Sequence, residues 1–552
     1  MQYAPMRQLS DSMTPTPLTP SALAAALQQA VAHHKAGELD TAQRIYQDIL
    51  HADPAHFDAL QLLGAIAVQE GRWGEALDFL SRALRVNPAH AAVHSNVGNA
   101  LKALGRSHEA VASYDLAIRF KPDYAEAFYN RANALTALGQ TADALRDYQK
   151  AIDLKPDYAA AHCNLGLALQ ELKRPHEAIR SYDTAIALRP GYAQAYFNRG
   201  NALKVLRRLD EACASYDLAV HAKPDFAAAY CNKSYALLLG GDLRQGWPLY
   251  EWRWQLEPMR SSLRDFGRPL WTGAEDLRGK TILLEAEQGL GDSIQFCRYT
   301  QLLADRGAQV VLELPKALRG LLSTLAGVTL IVERGQPLPP FDYRCPLLSL
   351  PLACGTQLHS IPCAGPYLFA DPVKTQYWRE KIGPGHRLKV GLVWSGGHRP
   401  DQPAVWAIDA SRNVPVDLLA QCLHTADADF FSLQKGEPAE SDIRQRAQGL
   451  WPRGNFYNYA DALHDFADTA ALIANMDVVL TVDTSTAHVA AALGKPTWIL
   501  NRYDTCWRWL LDRDDSPWYR SVTLYRQAQD LDWAPVLRRV AHDLSRFVAS
   551  PT

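Results

Sequence analysis

Two stretches carry residue types whose spacing could do chemistry. EAEQGLGDSIQFCRY (285–299) follows the apolar run TILL and sets two glycines, one residue apart, ahead of Asp292. Where a strand hands over to a helix, such a turn can cradle a phosphate, present a carboxylate, or merely reverse the chain. The second stretch is MDVVLTVDTSTAHVAAALGKP (476–496), where Asp483, Thr484, Ser485 and Thr486 open a helix that runs to Gly494. Hydroxyls and unpaired backbone N–H groups at a helix start suit a phosphate. Asp483 at the strand end either caps that helix or touches a sugar hydroxyl. His488 follows Thr484 by four residues and shares its helix face, as a ligand or as a satisfied core histidine. GLGDSI lacks the third glycine of GxGxxG, which excludes the dinucleotide fingerprint.

The elements that must position these residues read as α/β. KTILLEAE, AQVVLELP and VTLIVERG are short β-rich runs separated by helical segments such as DSIQFCRYTQLLADRG. That alternation predicts a parallel sheet with crossover helices. After a polar stretch at 371–388 a second series opens with LKVGLVWSGG and continues through DADFFSLQKG, MDVVLTVDTS and KPTWIL. Two successive doubly wound units predict two Rossmann-like lobes facing a cleft.

Ahead of the lobes stands a ladder with a fixed step. Prolines at 54, 88, 122, 156, 190 and 224 are each 34 apart, and alanines at 42, 76, 110, 144, 178 and 212 keep the same step. Tyr46, Tyr114, Tyr148, Tyr182 and Tyr216 follow it too, with Leu80 in the one gap. Each unit reads as two amphipathic helices, a turn and a closing Pro, and with this 34-residue period it resembles the tetratricopeptide repeat. Such an array stacks into an α-solenoid with a concave face. Asn96, Asn130, Asn164, Asn198 and Asn232 recur at the same interval although Asn is a middling helix former. A side-chain amide offers donor and acceptor at once, so the column either grips an extended peptide backbone or bonds neighbouring repeats.

At 552 residues the chain exceeds a single core. Its formal charge of −2 supplies no global field for nucleic acid or anionic membrane. Nine cysteines without a CxxC suit reduced thiols and a cytoplasmic location, and the even spacing of Cys345, Cys354 and Cys363 matches no metal-ligand pattern. The start, MQYAPMRQLSDSMTPTPLTP, reads as a disordered leader and not as a signal peptide, and no apolar run is long enough for a membrane span.

QGLGDSIQF, VGLVWSGG, SLQKG and VDTSTAHVAAALGKP together resemble the glycosyltransferase family of ADP-heptose:lipopolysaccharide heptosyltransferases, which have the GT-B fold. With the repeats, YEWRW, CPLLSLP and WRWLLDRDDSPWY, the chain is similar to bacterial tetratricopeptide-repeat proteins with a heptosyltransferase-like C-terminal domain. The Asn column resembles that of the repeats fused to O-linked N-acetylglucosamine transferase. The resemblance implies a leader at 1–20, a repeat superhelix at 21–256, a linker at 257–278, an acceptor-side lobe at 279–375 and a nucleotide-sugar lobe at 376–552. It implies Asp292 as the general base of an inverting transfer, with Glu287, Gln288, Gly289 and Gly291 forming the acceptor-side turn, where the glycines let substrate approach the backbone. It assigns Ser395, Gly396, Arg412, Lys435, Asp483, Thr484, Ser485 and His488 to the donor site. The expected partners are a nucleotide sugar and a protein acceptor on the concave face, with no cofactor and no metal. DRDD (512–515) follows a helical segment, where an Asp-x-Asp metal motif would follow a strand. HRPDQPAVWAIDASRNVP (398–415) and NRYDTCWRW depart from the family pattern, and the competing expectation is a scaffold with a degenerate transferase domain.

Overall fold

A computed structural model describes residues 19–363, 365–397, 412–423 and 426–547. Most of the irregular stretch at 398–415, and the leader up to residue 18, lie outside the described residues. Thr19 caps the first helix by accepting from the Ala22 N–H, so Pro20, placed in the leader from sequence, is already helical. The chain divides into two compact units, 1–203 and 204–552.

The first unit is a run of paired helices from Pro20–Lys35 to Pro175–Leu188, continuing into Ala193–Val205. The small and aromatic columns are its core: Ala42, Ala76, Ala110, Ala144 and Ala178 are fully buried, as are Tyr46, Leu80, Tyr114 and Tyr182. Two of the tyrosines sit against a glycine on the facing helix. A Cβ on Gly98 would lie 2.5 Å from the Tyr114 ring, and one on Gly166 would lie 2.5 Å from Tyr182. Ion pairs stitch successive repeats: Arg131 holds Asp147 at 2.6 Å and Asp115 at 2.6 Å, and Arg199 holds Asp183 at 2.6 Å.

The second unit begins with the last repeat helices, Leu209–Ala222 and Ala227–Leu239, and a closing half-repeat, Leu243–Tyr250, that runs into a 3-10 turn at Glu251–Gln255. Leu238, Leu239, Leu243, Trp247 and Tyr250 join the same hydrophobic core as the sheets. The first sheet has four parallel strands: β1 (Thr281–Glu285), β2 (Gln309–Leu314), β3 (Leu330–Glu333) and β4 (Tyr343–Pro346), in the order β3-β2-β1-β4. The second has six: β5 (Leu388–Val393), β6 (Ala428–Ser432), β7 (Phe456–Asn458), β8 (Val478–Val482), β9 (Thr497–Asn501) and β10 (Val522–Arg526), in the order β10-β9-β8-β5-β6-β7. Every pairing is parallel, and β8 and β9 are buried along their whole length, as strands covered on both faces must be. Strand order reverses between β1 and β4 and again between β5 and β8. The chain leaves these neighbours in opposite directions, so their C-terminal ends open a crevice in each lobe.

Candidate active site

Both chemistry-bearing stretches sit at those reversals. In the first lobe β1 leads through Ala286–Gly289 into the helix Leu290–Phe296, and Asp292 lies in its first turn. Asp292 Oδ2 accepts from the Gly289 N–H at 3.0 Å, which satisfies one of the donors a helix start leaves open. Its Oδ1 pairs with the guanidinium of Arg508, which comes from the other lobe.

Gly291 stands where the two lobes touch. A Cβ there would stand 2.9 Å from His488 Cδ2 and 3.4 Å from Ser485 Cα. The missing side chain lets the Leu290 helix touch the helix Ser485–Ala492 of the second lobe. Glu287 is buried in the same turn: its side chain is 6 % exposed, it pairs with Arg253 at 3.2 Å and it accepts from the Leu348 N–H at 3.1 Å. Burial pushes its carboxyl up to about 7. Gln288 exchanges hydrogen bonds with the Tyr250 hydroxyl at 3.3–3.5 Å. Both side chains therefore brace the turn against the closing half-repeat.

In the second lobe the ends of β5 and β8 come together. Trp394 and Ser395 present their N–H groups to Gln434 Oε1 at 3.2 and 3.0 Å, and the Gly396 N–H bonds Asn413 Oδ1 at 2.8 Å. Arg412 lies against Gly396, where a Cβ would come within 2.5 Å of Nε, and its Nη1 donates to the Asp483 carbonyl at 2.8 Å. Thr484 is the extended residue ahead of the Ser485 helix, and its hydroxyl lies 3.3 Å from that of Thr481. Ser395, Gly396, Arg412, Asp483 and Thr484 thus form one group around a helix N-terminus. Lys435 is committed elsewhere, donating to the Ala460 carbonyl at 2.8 Å and lying 3.6 Å from Glu440.

His488 is buried where the Ser485 helix meets Gly291 of the first lobe. Its Nδ1 lies 2.9 Å from the Tyr519 hydroxyl and its ring stacks on Trp509 at 5.6 Å. Burial pushes its pKa down to about 3, so it is neutral at physiological pH. Arg298 adds a second tie between the lobes: Nη1 bonds the Trp518 carbonyl, Nη2 reaches the Tyr367 hydroxyl at 3.0 Å, and the guanidinium lies 4.4 Å from the Tyr519 ring centroid. Sequence reasoning assigned no role to Arg253, Arg298, Arg508 or Tyr519. For Arg253, Arg508 and Tyr519 the only signal was the clustering of aromatic and Arg residues in YEWRW and WRWLLDRDDSPWY; Arg298 stands in QFCRY, just after the Gly-Asp turn.

The Asn column splits. Asn164 Nδ2 donates to Asn133 Oδ1 at 2.8 Å and to the Tyr129 hydroxyl at 3.1 Å, both in the preceding repeat. Asn198 is buried, reaches Cys163 Sγ at 3.8 Å and accepts from Gln194 at 2.9 Å. These two amides bond neighbouring side chains. Asn96, Asn130 and Asn232 are half-buried.

Among the described residues, no group of three or more His, Cys, Asp or Glu could hold a metal ion, and no helix is long and apolar enough to cross a membrane. Tetratricopeptide-repeat family models match residues 33–104, 98–139, 132–173 and 163–227. The model for glycosyltransferase family 9 (heptosyltransferase) matches 436–509. Protein FlbA of Caulobacter vibrioides is 30 % identical over 347 residues, which cover 57 % of this chain and 54 % of FlbA. The chain therefore spans about half the length of that curated relative. Among solved structures, MamA is 24 % identical over 29 % of this chain and 95 % of its own, with a TM-score of 0.28. YrrB, a TPR protein described as having an unusual peptide-binding site, is 21 % identical over 33 % of this chain and 95 % of its own, with a TM-score of 0.30. The chain carries tetratricopeptide repeats followed by a region similar to family 9 glycosyltransferases.

Proposed function

We propose that the protein is an inverting GT-B glycosyltransferase that moves a sugar from a nucleotide-sugar donor to a protein acceptor gripped by the repeats. One observation carries the reading. The two switch-point turns, Gly-Asp of the first lobe and Asp-Thr-Ser-Thr-Ala-His of the second, meet at Gly291 and His488, and the family 9 match runs through the second turn. In this reading Asp292 takes the proton of the acceptor hydroxyl as its oxygen attacks the anomeric carbon, and the nucleoside diphosphate leaves from the opposite face. The N–H groups opening the Ser485 helix and the Arg412 guanidinium receive the diphosphate charge, so no metal is required. Ser395 and Gly396 form the floor of that site, with Asp483 and Thr484 beside it. The nine cysteines, all free thiols, suit a cytoplasmic site of action.

A non-catalytic scaffold is the second reading, favoured by the fact that both Asp292 oxygens already hold partners. A thermal-shift screen against a panel of nucleotide sugars separates the two, since a ligand bound by the native state alone raises the melting temperature. A shift with one donor and turnover that falls about 100-fold or more in Asp292→Asn support transfer by base catalysis. No response from any donor supports the scaffold.

A further inference from the structure

We propose that Arg508 is the positioning residue of the transfer reaction, holding the Asp292 carboxylate in the orientation from which it takes the acceptor proton. This rests on the reading of Asp292 as the base. The Arg508 guanidinium spends its fork on one surface: Nη2 pairs with Asp292 Oδ1, Nε donates to Gln295 Oε1 at 2.7 Å, and Nη1 donates to Cys506 Sγ at 3.2 Å. Gln295 is fully buried and lies on the same helix as Asp292, one turn on. Arg508 therefore grips the base and the helix that carries it. With Oδ2 fixed by the Gly289 N–H, both oxygens are tied and the plane of the carboxylate is set. Each oxygen retains a further lone pair, so a tied carboxylate can still accept a proton.

The turn that carries Arg508 is itself clamped. Trp507 packs edge-on against Trp247 at 5.3 Å and against Tyr250 at 6.3 Å, and lies 6.4 Å from Phe296. Its ring lies 4.3 Å from the Arg508 guanidinium. Two residues on, buried Leu510 adopts φ 51°, ψ −171°, a region held essentially by glycine. A non-glycine residue persists there only where its surroundings over-determine the backbone. Burial opposes the Arg508 charge, yet Asp292, Cys506 and Tyr250 hold its pKa above the ordinary arginine value. Tyr250 also bonds Gln288, and Arg253 bonds Glu287, so the closing half-repeat braces the turn of the base on one side and the turn of Arg508 on the other.

A plain lobe-to-lobe salt bridge would have the same contacts without bearing on turnover. The lobes do not depend on Arg508 for their contact, because Arg298 ties them independently through the Trp518 carbonyl. The two roles part in kinetics. The test is steady-state transfer by the full chain, using the donor found in the nucleotide-sugar screen, for the native protein, Asp292→Asn, Arg508→Gln, Arg508→Lys and the Asp292→Asn/Arg508→Gln pair. Misplacing a reacting group by about 1 Å costs on the order of 100-fold. Arg508→Gln is expected to lose kcat on that scale with donor KM unchanged. Arg508→Lys, which keeps the charge but not the fork, should fall between Arg508→Gln and native. The double variant should be no slower than Asp292→Asn alone, because a positioning residue has nothing left to position.

Native kcat in Arg508→Gln overturns the proposal. So does a double variant slower than Asp292→Asn by the full Arg508→Gln factor, which would place Arg508 on the substrate itself. A raised donor KM at native kcat overturns it likewise, as donor binding. If Arg508→Gln does not fold, Arg508→Lys decides: reduced kcat at unchanged donor KM supports the role and native kcat removes it. Full turnover in Asp292→Asn, or no turnover by the native protein on any donor, removes the underlying reading and this role with it. An inactive Asp292→Asn beside a fully active Arg508→Gln removes this role alone.

Discussion

At the scale of single residues, the turn between β1 and its helix shows how burial reassigns side chains. Glu287 reads, in sequence, as part of the acceptor-side turn beside Asp292. In the fold it faces Arg253 and the Leu348 N–H, away from solvent, with its carboxyl raised by burial to about 7 from an ordinary value of 4.5. Between those two pH values the unfolded chain has released a proton that the folded protein still holds. Stability therefore falls as pH rises through that window and stays lower above it, by up to about 3 kcal/mol. Glu287→Gln keeps the acceptor oxygen and removes the titration. Denaturant midpoints measured at about pH 5 and about pH 8 should fall with pH in the native protein and differ less in the variant. His488 is the same lesson with the opposite charge. Its place on a helix beside Asp483 was legible, but its neutrality comes from Trp509, Tyr519 and Gly291 packing round it, from segments far apart in sequence.

At the scale of elements, the repeat was almost wholly legible because each helix pair repeats one local problem. The turn between paired helices needs a left-handed residue, and Gly37, Gly71, Gly105 and Gly139 fill it at φ 73–80°. Lys173 holds the same turn at φ 60° without glycine's freedom, at a cost of about 1–2 kcal/mol. Lys173→Gly should raise the stability of the first unit by about 1 kcal/mol, net of the entropy glycine adds to the unfolded chain, read as a higher denaturant midpoint. The Asn column was legible as a pattern and not as a role, since a period says where a side chain stands and not what it meets. Asn164 and Asn198 meet the preceding repeat. Asn164→Ala should lower the stability of the repeats by about 1 kcal/mol, whereas Asn130→Ala should leave stability alone and weaken acceptor capture. Thermal melts and acceptor KM check the two outcomes separately.

At the scale of the whole molecule, the repeat pattern in sequence runs on to Tyr250, but the compact units divide at 203. The reason is composition at the array's end. Leu238, Leu243, Trp247 and Tyr250 replace the polar outer face a terminal repeat would show, and they are buried in the core that also holds the sheets. Helices 209–250 should therefore unfold with the lobes and not with the solenoid. Native-state amide exchange across a denaturant series should show the amides of Ala227–Leu239 following those of β8 and β9. Exchange in step with Ala159–Glu171 would contradict it.

The sequence by itself determined what depends on local period and local chemistry: the solenoid step, the two runs of alternating strands and helices, and the Gly-Asp and Asp-Thr-Ser-Thr-Ala-His turns at strand ends. Period and turn chemistry act over a few residues, so one chain suffices to read them. Tertiary structure alone decided the partners. Arg508 stands 216 residues beyond Asp292 and is set against it by Trp247 and Tyr250 of the closing half-repeat. No spacing rule links such positions, because their proximity is produced by the packing of a buried core from all three segments.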